Sequence, residues 1–229
     1  LLEEDLIQGI RVDHVDGLLD PATYLSRLRN LAGPETYITI EKILEGEEQL
    51  PSEWPIQGTS GYDFLAQTNQ LLTNQVGAQK LLAYYQEQIS EQFGDYNEMV
   101  FYNKRYILEK RMAGDLENLV RLWKELEILP YEEASEERQQ IKKALADFLI
   151  YFPVYRTYSN QFPFSKEDIN KLEEAFEIAE KRSPDLAASF QQLRNVFNGV
   201  DDKGGTENQH KLYFSLRSQQ FTGPLAAKG

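Results

Sequence analysis

The chain has no cysteine among its 229 residues and only two histidines, His14 and His210. The first absence excludes disulfide bonds, thiolate metal ligands and a cysteine nucleophile, and it fits a reducing compartment, so we expect a cytoplasmic protein. The second argues against a histidine-rich metal site, and the sequence predicts neither a metal nor a cofactor. No apolar run has transmembrane length and no signal peptide is recognisable, so no membrane partner is expected.

Basic residues are also scarce. Lysine and arginine number 24 against 37 aspartates and glutamates, which gives a net charge of −13. Such a field repels phosphate backbones, so no nucleic-acid partner is expected. Aromatic residues make up 12% of the chain, and this content fits core packing better than it fits a set of platforms for stacking sugars.

Two short apolar segments each end in a carboxylate. The first covers residues 8–13 and ends at Asp13, and the second covers residues 37–41 and ends at Glu41. Continuous, β-branched runs of this kind are typical of strands that are covered on both faces. The acids lie 28 positions apart, about one strand–helix repeat, so adjacent parallel strands would bring them side by side at the mouth of a barrel. Two carboxylates that face each other across a sugar are the groups of glycoside chemistry.

Arg11 lies two positions before Asp13, and residues i and i+2 of a strand share a face. A guanidinium there would keep Asp13 ionised, as a nucleophile requires. Glu41 would instead have to carry a proton that it can give to a leaving oxygen. The alternative is a plain ion pair between Arg11 and Asp13 that ends a strand.

The chain changes character near residue 60. Residues 1–60 indicate a strand–helix–strand unit whose helix starts at Asp20-Pro21, followed by an irregular acidic loop over residues 44–60. After Tyr62 the apolar periodicity is helical. Four helices are predicted from this pattern: one with a continuous face from Leu108 to Leu126, one from Ile141 to Phe152 after a break at Pro130, one opened by a capping box at Ser165 and Asp168, and one from Ser183-Pro184 to near Gly199.

The C-terminal part is predicted to hold a polar loop over residues 199–206, a last helix before Phe221, and a strand near residues 221–227. A further short strand is expected near residues 155–158. Because the first residue is Leu1 and no ending signal precedes Gly229, we expect the chain to be a segment of a longer polypeptide.

The motif Gly-x-Arg-x-Asp, followed by a glutamate at the end of the next strand, is similar to the α-amylase superfamily of glycoside hydrolases. Several longer blocks resemble one family within it, the maltooligosyltrehalose synthases, and they keep that family's order from end to end. These blocks are residues 11–18 (RVDHVDGL), 41–44 (EKIL), 58–65 (GTSGYDFL), 153–158 (PVYRTY) and 219–229 (QQFTGPLAAKG).

The resemblance implies a fold that is mainly α with an α/β portion. Residues 1–60 would form part of a (β/α)8 TIM barrel with two strand–helix units. Residues 61–220 would form a large helical insertion domain, and residues 221–229 a strand or loop returning to the barrel. The resemblance also implies that three barrel strands precede Leu1.

The resemblance also implies roles for particular residues. Asp13 would be the nucleophile and Glu41 the general acid/base of a retaining enzyme. A third carboxylate would lie beyond residue 229. Plain amylases carry lysine and histidine three and four residues after the nucleophile, and here those places hold Asp16 and Gly17. This difference argues against a plain amylase.

Four residues are candidates for binding substrate: Arg11, His14, Tyr62 and Lys228. For His14 the alternative is a packing role, and the two readings stand even. Asp63 could line the sugar site or cap the following helix, and the cap is favoured. Arg156 could pair with the acidic cleft or hold the helical region to the barrel, and the structural role is favoured. Trp54 could stack on glucose or anchor its loop.

The activity that the resemblance implies is an intramolecular transglycosylation. The reducing-end α-1,4 bond of a maltooligosaccharide would become an α,α-1,1 bond, and a separate hydrolase would release trehalose in the same pathway. The segment alone is expected to be inactive. Two other classes remain open: a retaining α-glucan hydrolase, which would release glucose, and a non-catalytic helical scaffold.

Overall fold

The structure is a computed structural model that describes residues 1–4, 6–44, 48–88, 95–128, 135–199 and 205–229. The predicted break at Pro130 and parts of the predicted loops at residues 44–60 and 199–206 lie outside these ranges. The described chain is mostly helical and contains one small parallel sheet. None of its described helices is long and apolar enough to cross a membrane.

The sheet has three parallel strands in the order β1–β2–β3. Strand β1 is Gly9–Val12, β2 is Tyr37–Ile40 and β3 is Gly58–Thr59. The first two strands confirm the predicted segments. In their register Gly9 pairs with Tyr37 and Val12 pairs with Ile40. The third strand lies in the segment that was predicted to be an irregular loop. The sequence did not indicate this strand because two residues are too few to show a strand period.

Helix α1, Pro21–Ala32, begins at the predicted proline and ends before Gly33, whose φ of 88° suits a glycine. The connection to β2 is tied down by Arg29, which donates hydrogen bonds to the carbonyl oxygens of Gly33, Thr36 and Pro55. One side chain thus satisfies several carbonyls that no strand or helix pairs, and it fixes where β2 starts.

The chain divides into two compact units. The first contains Leu1–Val15 and Thr23–Met99, and the second contains Asp16–Ala22 and Val100–Gly229. The predicted boundary near residue 60 marks the change from strands to helices, whereas the first unit continues to Met99. Within the described ranges, eight further α-helices follow the sheet: α2 (Tyr62–Leu72), α3 (Gln75–Gln88), α4 (Tyr96–Lys110), α5 (Ala113–Glu125), α6 (Glu136–Ile150), α7 (Lys166–Arg182), α8 (Ala187–Phe197) and α9 (Thr206–Lys228).

The second unit has a large aromatic core between its helices. The ring of Phe148 on α6 stacks on Phe176 of α7 at 4.5 Å and on Phe197 of α8 at 5.0 Å. Trp123 of α5 meets Phe214 of α9 edge-on at 5.1 Å. Offset and edge-on pairs of this kind add to the stabilisation from burial itself. The aromatic content of this unit therefore serves packing, as the composition predicted.

Three secondary-structure predictions need correction. The apolar face from Leu108 to Leu126 is not one helix, because α4 ends at Lys110 and α5 starts at Ala113, although the buried face continues across the break. Residues 155–158 form no strand. Residues 221–227 are not a strand either, because α9 continues through Pro224 to Lys228. Burial of Phe221 and Leu225 outweighs the helix-breaking tendency of the proline.

The predicted capping box at the start of α7 is confirmed in one half. The Ser165 hydroxyl accepts a hydrogen bond from the backbone N–H of Asp168, as the pattern requires. The Asp168 carboxylate does not return the bond. It accepts instead from the backbone N–H groups of Tyr158 and Ser159 and from the Ser159 hydroxyl, and so holds the PVYRTY block against α7.

Candidate active site

The two predicted acids lie together at the carboxyl ends of neighbouring strands. Asp13 follows the last residue of β1, and Glu41 follows the last residue of β2. The ladder continues past both strands, because the backbone N–H of Glu41 donates to the carbonyl oxygen of Val12 at 2.8 Å. The parallel register thus brings the two carboxylates level, as the spacing of the sequence predicted.

Arg11 contacts both carboxyl groups. Its Nη1 donates to Asp13 Oδ1 at 2.8 Å, and its Nη2 lies 3.4 Å from Glu41 Oε1. The first contact confirms the pairing that the i, i+2 spacing predicted. The contact with Glu41 shows that Arg11 does more than form a local ion pair with Asp13, because the guanidinium contacts acids that follow two different strands.

The electrostatics of the site favour an ionised Asp13. The hydrogen bond from Arg11 lowers the pKa of Asp13 below its ordinary value, and a hydrogen bond with the Glu41 side chain acts in the same direction. The hydrogen bond to Asp13 correspondingly raises the pKa of Arg11. Asp13 therefore stays a carboxylate at neutral pH.

Glu41 receives two further donors besides Arg11. The backbone N–H of His14 donates to Glu41 Oε2 at 2.9 Å, and the Tyr62 hydroxyl reaches Oε1 at 3.5 Å. His14 supplies its N–H from a left-handed backbone conformation, with φ at 46°. The Glu41 side chain is thus oriented by donors from β1, from the turn after β1 and from the start of α2.

An open pocket of about 220 Å³ lies next to this group of side chains. It is lined by Arg11 and by four residues where β3 passes into α2, namely Ser60, Gly61, Tyr62 and Leu65. Arg11 and Tyr62 both contact Glu41 as well, so the pocket opens beside that carboxyl. Ser60 and Leu65 were not predicted as site residues, although the GTSGYDFL block that contains them carried the signal.

Asp63 lies in the first turn of α2 and not at its N-cap, which is Gly61, so it stabilises the start of the helix without being the cap that the sequence favoured. The Thr59 hydroxyl donates to its carboxylate at 2.6 Å, and this bond, with backbone N–H groups at the start of α2, lowers the pKa of Asp63. The same Thr59 oxygen accepts from the N–H of Gly61. The bonds fix the turn that carries Tyr62.

Known proteins resemble the chain over part or all of its length. No family model matches the chain. Two curated proteins from Mycobacterium tuberculosis strains, each named a putative maltooligosyl trehalose synthase, are 43% identical to it over 97 residues, which is 42% of the chain and 12% of theirs. The solved maltooligosyltrehalose synthase from Arthrobacter ramosus superposes on the whole chain with a TM-score of 0.76 at 29% identity. The chain is homologous to a segment of maltooligosyltrehalose synthases.

A second solved structure, titled a glycosyltrehalose synthase, covers 98% of the chain with a TM-score of 0.67 at 30% identity. The chain spans 26% of the Arthrobacter ramosus synthase and 24% of this second protein. The resemblance read from the sequence blocks is thereby confirmed.

Lys228, the remaining substrate-binding candidate, belongs to the second compact unit. It is exposed at the last position of α9. Asp13, Glu41 and Tyr62 belong to the first unit, as do Arg11 and His14. The predicted role of Lys228 stays a prediction.

Arg156, in the block PVYRTY, has a structural role within the second unit. It is only 1% exposed, and its guanidinium donates to the carbonyl oxygens of Asp16, Leu18 and Leu19. Burial lowers the pKa of Arg156, while nearby acidic groups act in the opposite direction. The Arg156 side chain thus satisfies backbone carbonyl oxygens that follow closely after Asp13 in the chain.

A buried ion pair follows Glu41 directly. Lys42 Nζ lies 2.8 Å from Glu48 Oε1, and the two side chains are 1% and 8% exposed. Trp54 is also buried, in accord with its reading as a loop anchor. Among the described residues, no group of three or more histidine or acidic side chains is arranged to hold a metal ion.

Proposed function

We propose that this site takes part in a retaining glycosyl transfer, with Asp13 as nucleophile and Glu41 as general acid/base. The observation that carries the proposal is the contact of one guanidinium with two carboxyls at the ends of adjacent parallel strands. The lowered pKa of Asp13 suits a nucleophile. The role of general acid/base requires Glu41 to carry a proton when the first bond breaks.

In the proposed architecture β1, β2 and β3 are part of a (β/α)8 barrel, and the helices after Tyr62 are an insertion into it. Support comes from the parallel order of the strands and from the position of both acids at their carboxyl ends, where barrel enzymes carry their sites. The homologous synthases are about four times as long as the chain, which leaves room for the remaining strands and a third carboxylate.

The proposed reaction moves one bond within a maltooligosaccharide. The Asp13 carboxylate attacks C1 of the penultimate glucose, the bond from that carbon to O4 of the reducing-end glucose breaks, and Glu41 gives its proton to O4. The freed glucose turns over in the site. Its C1 hydroxyl then attacks the glycosyl carbon, the ester to Asp13 breaks, and Glu41 takes the proton back. Two inversions give an α,α-1,1 bond, and the product is an isomer of the substrate.

Water has to be kept from the glycosyl ester while the glucose turns, since hydrolysis would release free sugar. The helical region is the proposed cover. A separate hydrolase would then release trehalose from the product. We also propose a cytoplasmic location, for which the lack of cysteine is the support.

The test uses the complete gene product with maltopentaose. Loss of reducing ends and release of glucose are measured together for the wild type and for the Asp13→Asn and Glu41→Gln variants. We expect reducing ends to disappear without matching glucose, and each variant to lose activity by several orders of magnitude while its circular dichroism is unchanged. Glu35→Gln, a change at an exposed acid just before β2, should keep full activity.

Other results would contradict the proposal in distinct ways. Glucose released in step with the lost substrate would identify a retaining hydrolase. Unchanged rates in Asp13→Asn and Glu41→Gln would support the helical scaffold. Turnover by the 229-residue chain alone, above its own Glu41→Gln variant, would refute the further proposal that the segment is inactive without the rest of the barrel.

A further inference from the structure

His14 occupies a backbone conformation that side chains rarely adopt. Its φ is 46°, and within the described ranges Glu127 is the only other residue apart from glycine with a positive φ. The left-handed region brings Cβ into conflict with the backbone, and its cost persists only where the surrounding structure enforces it. Histidine is among the residues that tolerate this conformation better than most, whereas β-branched residues tolerate it poorly.

The unusual turn points a backbone donor at the acid/base candidate. The N–H of His14 lies 2.9 Å from Glu41 Oε2, closer than the 3.4 Å contact of Arg11 and the 3.5 Å contact of Tyr62, which both involve the other oxygen, Oε1. The backbone N–H is therefore the donor that holds Oε2. Fixing one oxygen of a carboxyl also fixes the direction in which the other can pass a proton.

We infer that His14 is a positioning residue that acts through its backbone: the left-handed turn after β1 holds the Glu41 carboxyl in the orientation for proton transfer. The inference rests on the proposed function of Glu41. It assigns no contact with sugar to the imidazole. What the position needs is a residue that accepts a positive φ and keeps its N–H.

The test compares three substitutions at one position in the complete gene product. His14→Gly and His14→Asn remove the imidazole but accept a positive φ, whereas His14→Val opposes it. Each variant is given maltopentaose, whose leaving oxygen needs a proton, and α-maltosyl fluoride, whose fluoride leaves without one. For maltopentaose, kcat and KM are measured. For α-maltosyl fluoride, the fluoride released in the first turnover, here called the fluoride burst, is measured, and it reports attack by Asp13 independently of proton donation.

We expect His14→Val to lower kcat for maltopentaose by about 10²-fold, the usual worth of a well-placed general acid, with little change in KM. Its fluoride burst should stay within about threefold of the wild type, because Asp13 is untouched. His14→Gly and His14→Asn should lose far less than His14→Val on maltopentaose, and their fluoride release should also stay within about threefold of the wild type. Glu41→Gln should show the same selective loss as His14→Val, but a larger one.

Equal loss in His14→Gly and His14→Val would mean that the imidazole acts, and it would overturn the inference. Wild-type activity of His14→Val, or equal loss on both substrates, would overturn it as well. The control separates the two proposals. A Glu41→Gln variant without a selective loss refutes the proposed role of Glu41, whereas a selective loss in Glu41→Gln but not in His14→Val refutes only the role of His14.

Discussion

The Arg11 guanidinium contacts both acids, so it places a positive charge beside two carboxyls. Two ionised carboxylates at close range would repel each other. A cation that contacts both carboxyls offsets this repulsion, and it does so most directly for Asp13, to which Arg11 is hydrogen-bonded.

Replacing Arg11 with methionine should raise the pKa of Asp13, because the hydrogen bond from Arg11 is the main cause of its lowering. A nucleophile with a lowered pKa stays ionised as the pH falls, and without Arg11 it takes up a proton sooner. The acid limb of the pH profile of kcat/KM should therefore move to higher pH in Arg11→Met. The profile is measured with maltopentaose and the complete gene product, with Arg27→Met, on the exposed face of α1, as the control. An unmoved acid limb would show that Asp13 does not set it.

The sequence predicted the residue-level contacts that follow from strand geometry and missed those that depend on a turn. Arg11 and Asp13 share a face because they are two residues apart. The donor from His14 to Glu41 depends on a positive φ, for which a histidine between an aspartate and a valine gives no signal. The bond from Thr59 to Asp63 depends on β3, which is too short for a pattern.

Among the helices, α9 departs furthest from its sequence pattern. Gly223-Pro224 predicts an end, yet the helix continues because the glycine lets it approach Tyr155 closely. A Cβ on Gly223 would lie 2.6 Å from a ring carbon of Tyr155. Thr222 adds a hydrogen bond to the Tyr155 carbonyl oxygen at 2.8 Å. Close packing between distant segments is not visible in a local pattern, so the prediction failed there.

Two glycine-to-alanine changes should have opposite effects on stability. Gly223→Ala forces the Tyr155 ring to move and should destabilise the second unit by about 1–3 kcal/mol. Gly114→Ala, near the start of α5, meets nothing within 4 Å and should stabilise it by about 0.4–1 kcal/mol. Urea unfolding, followed by Trp123 fluorescence in a Trp54→Phe background, measures both. Stabilisation by Gly223→Ala would contradict the packing described.

At the scale of the whole molecule, the two units differ in how far their large apolar side chains are buried. The second unit buries its large side chains in one continuous core. In the first unit neither α2 nor α3 has a buried residue, and large apolar side chains on both helices are exposed, Leu71 by 84%. Exposed patches of this kind favour association.

The isolated chain should therefore self-associate through α2 and α3. Replacing Leu71, Leu72 and Leu81 with glutamine should reduce its light scattering and its binding of a hydrophobic dye. The free energy of unfolding should change by no more than about 0.5 kcal/mol for each substitution, because these side chains are exposed. Leu31→Gln, at an equally exposed position on α1, is the matched control. Equal effects from this control would mean that association is not specific to the two helices.

The mainly helical character and the sheet segments before residue 42 were predictable, because apolar periodicity and strand ends are local features. The division at Met99 was not, because it depends on which helices pack together. Helices α2 and α3 show the difficulty most clearly. Both carry large apolar side chains, yet neither has a buried residue, and a local pattern does not show whether another element covers such side chains.

The parallel ladder between β1 and β2 also determines which changes of length the chain can absorb. Asp13 and Glu41 are level through backbone pairing, so the span of residues 18–36 does not set their separation. That connection can grow or shrink as lineages diverge, at a modest entropic cost. One residue inserted within either strand would instead turn an acid to the opposite face and displace it by about 3.3 Å. Relatives that keep this chemistry should therefore vary in their loops while both four-residue strands stay free of insertions.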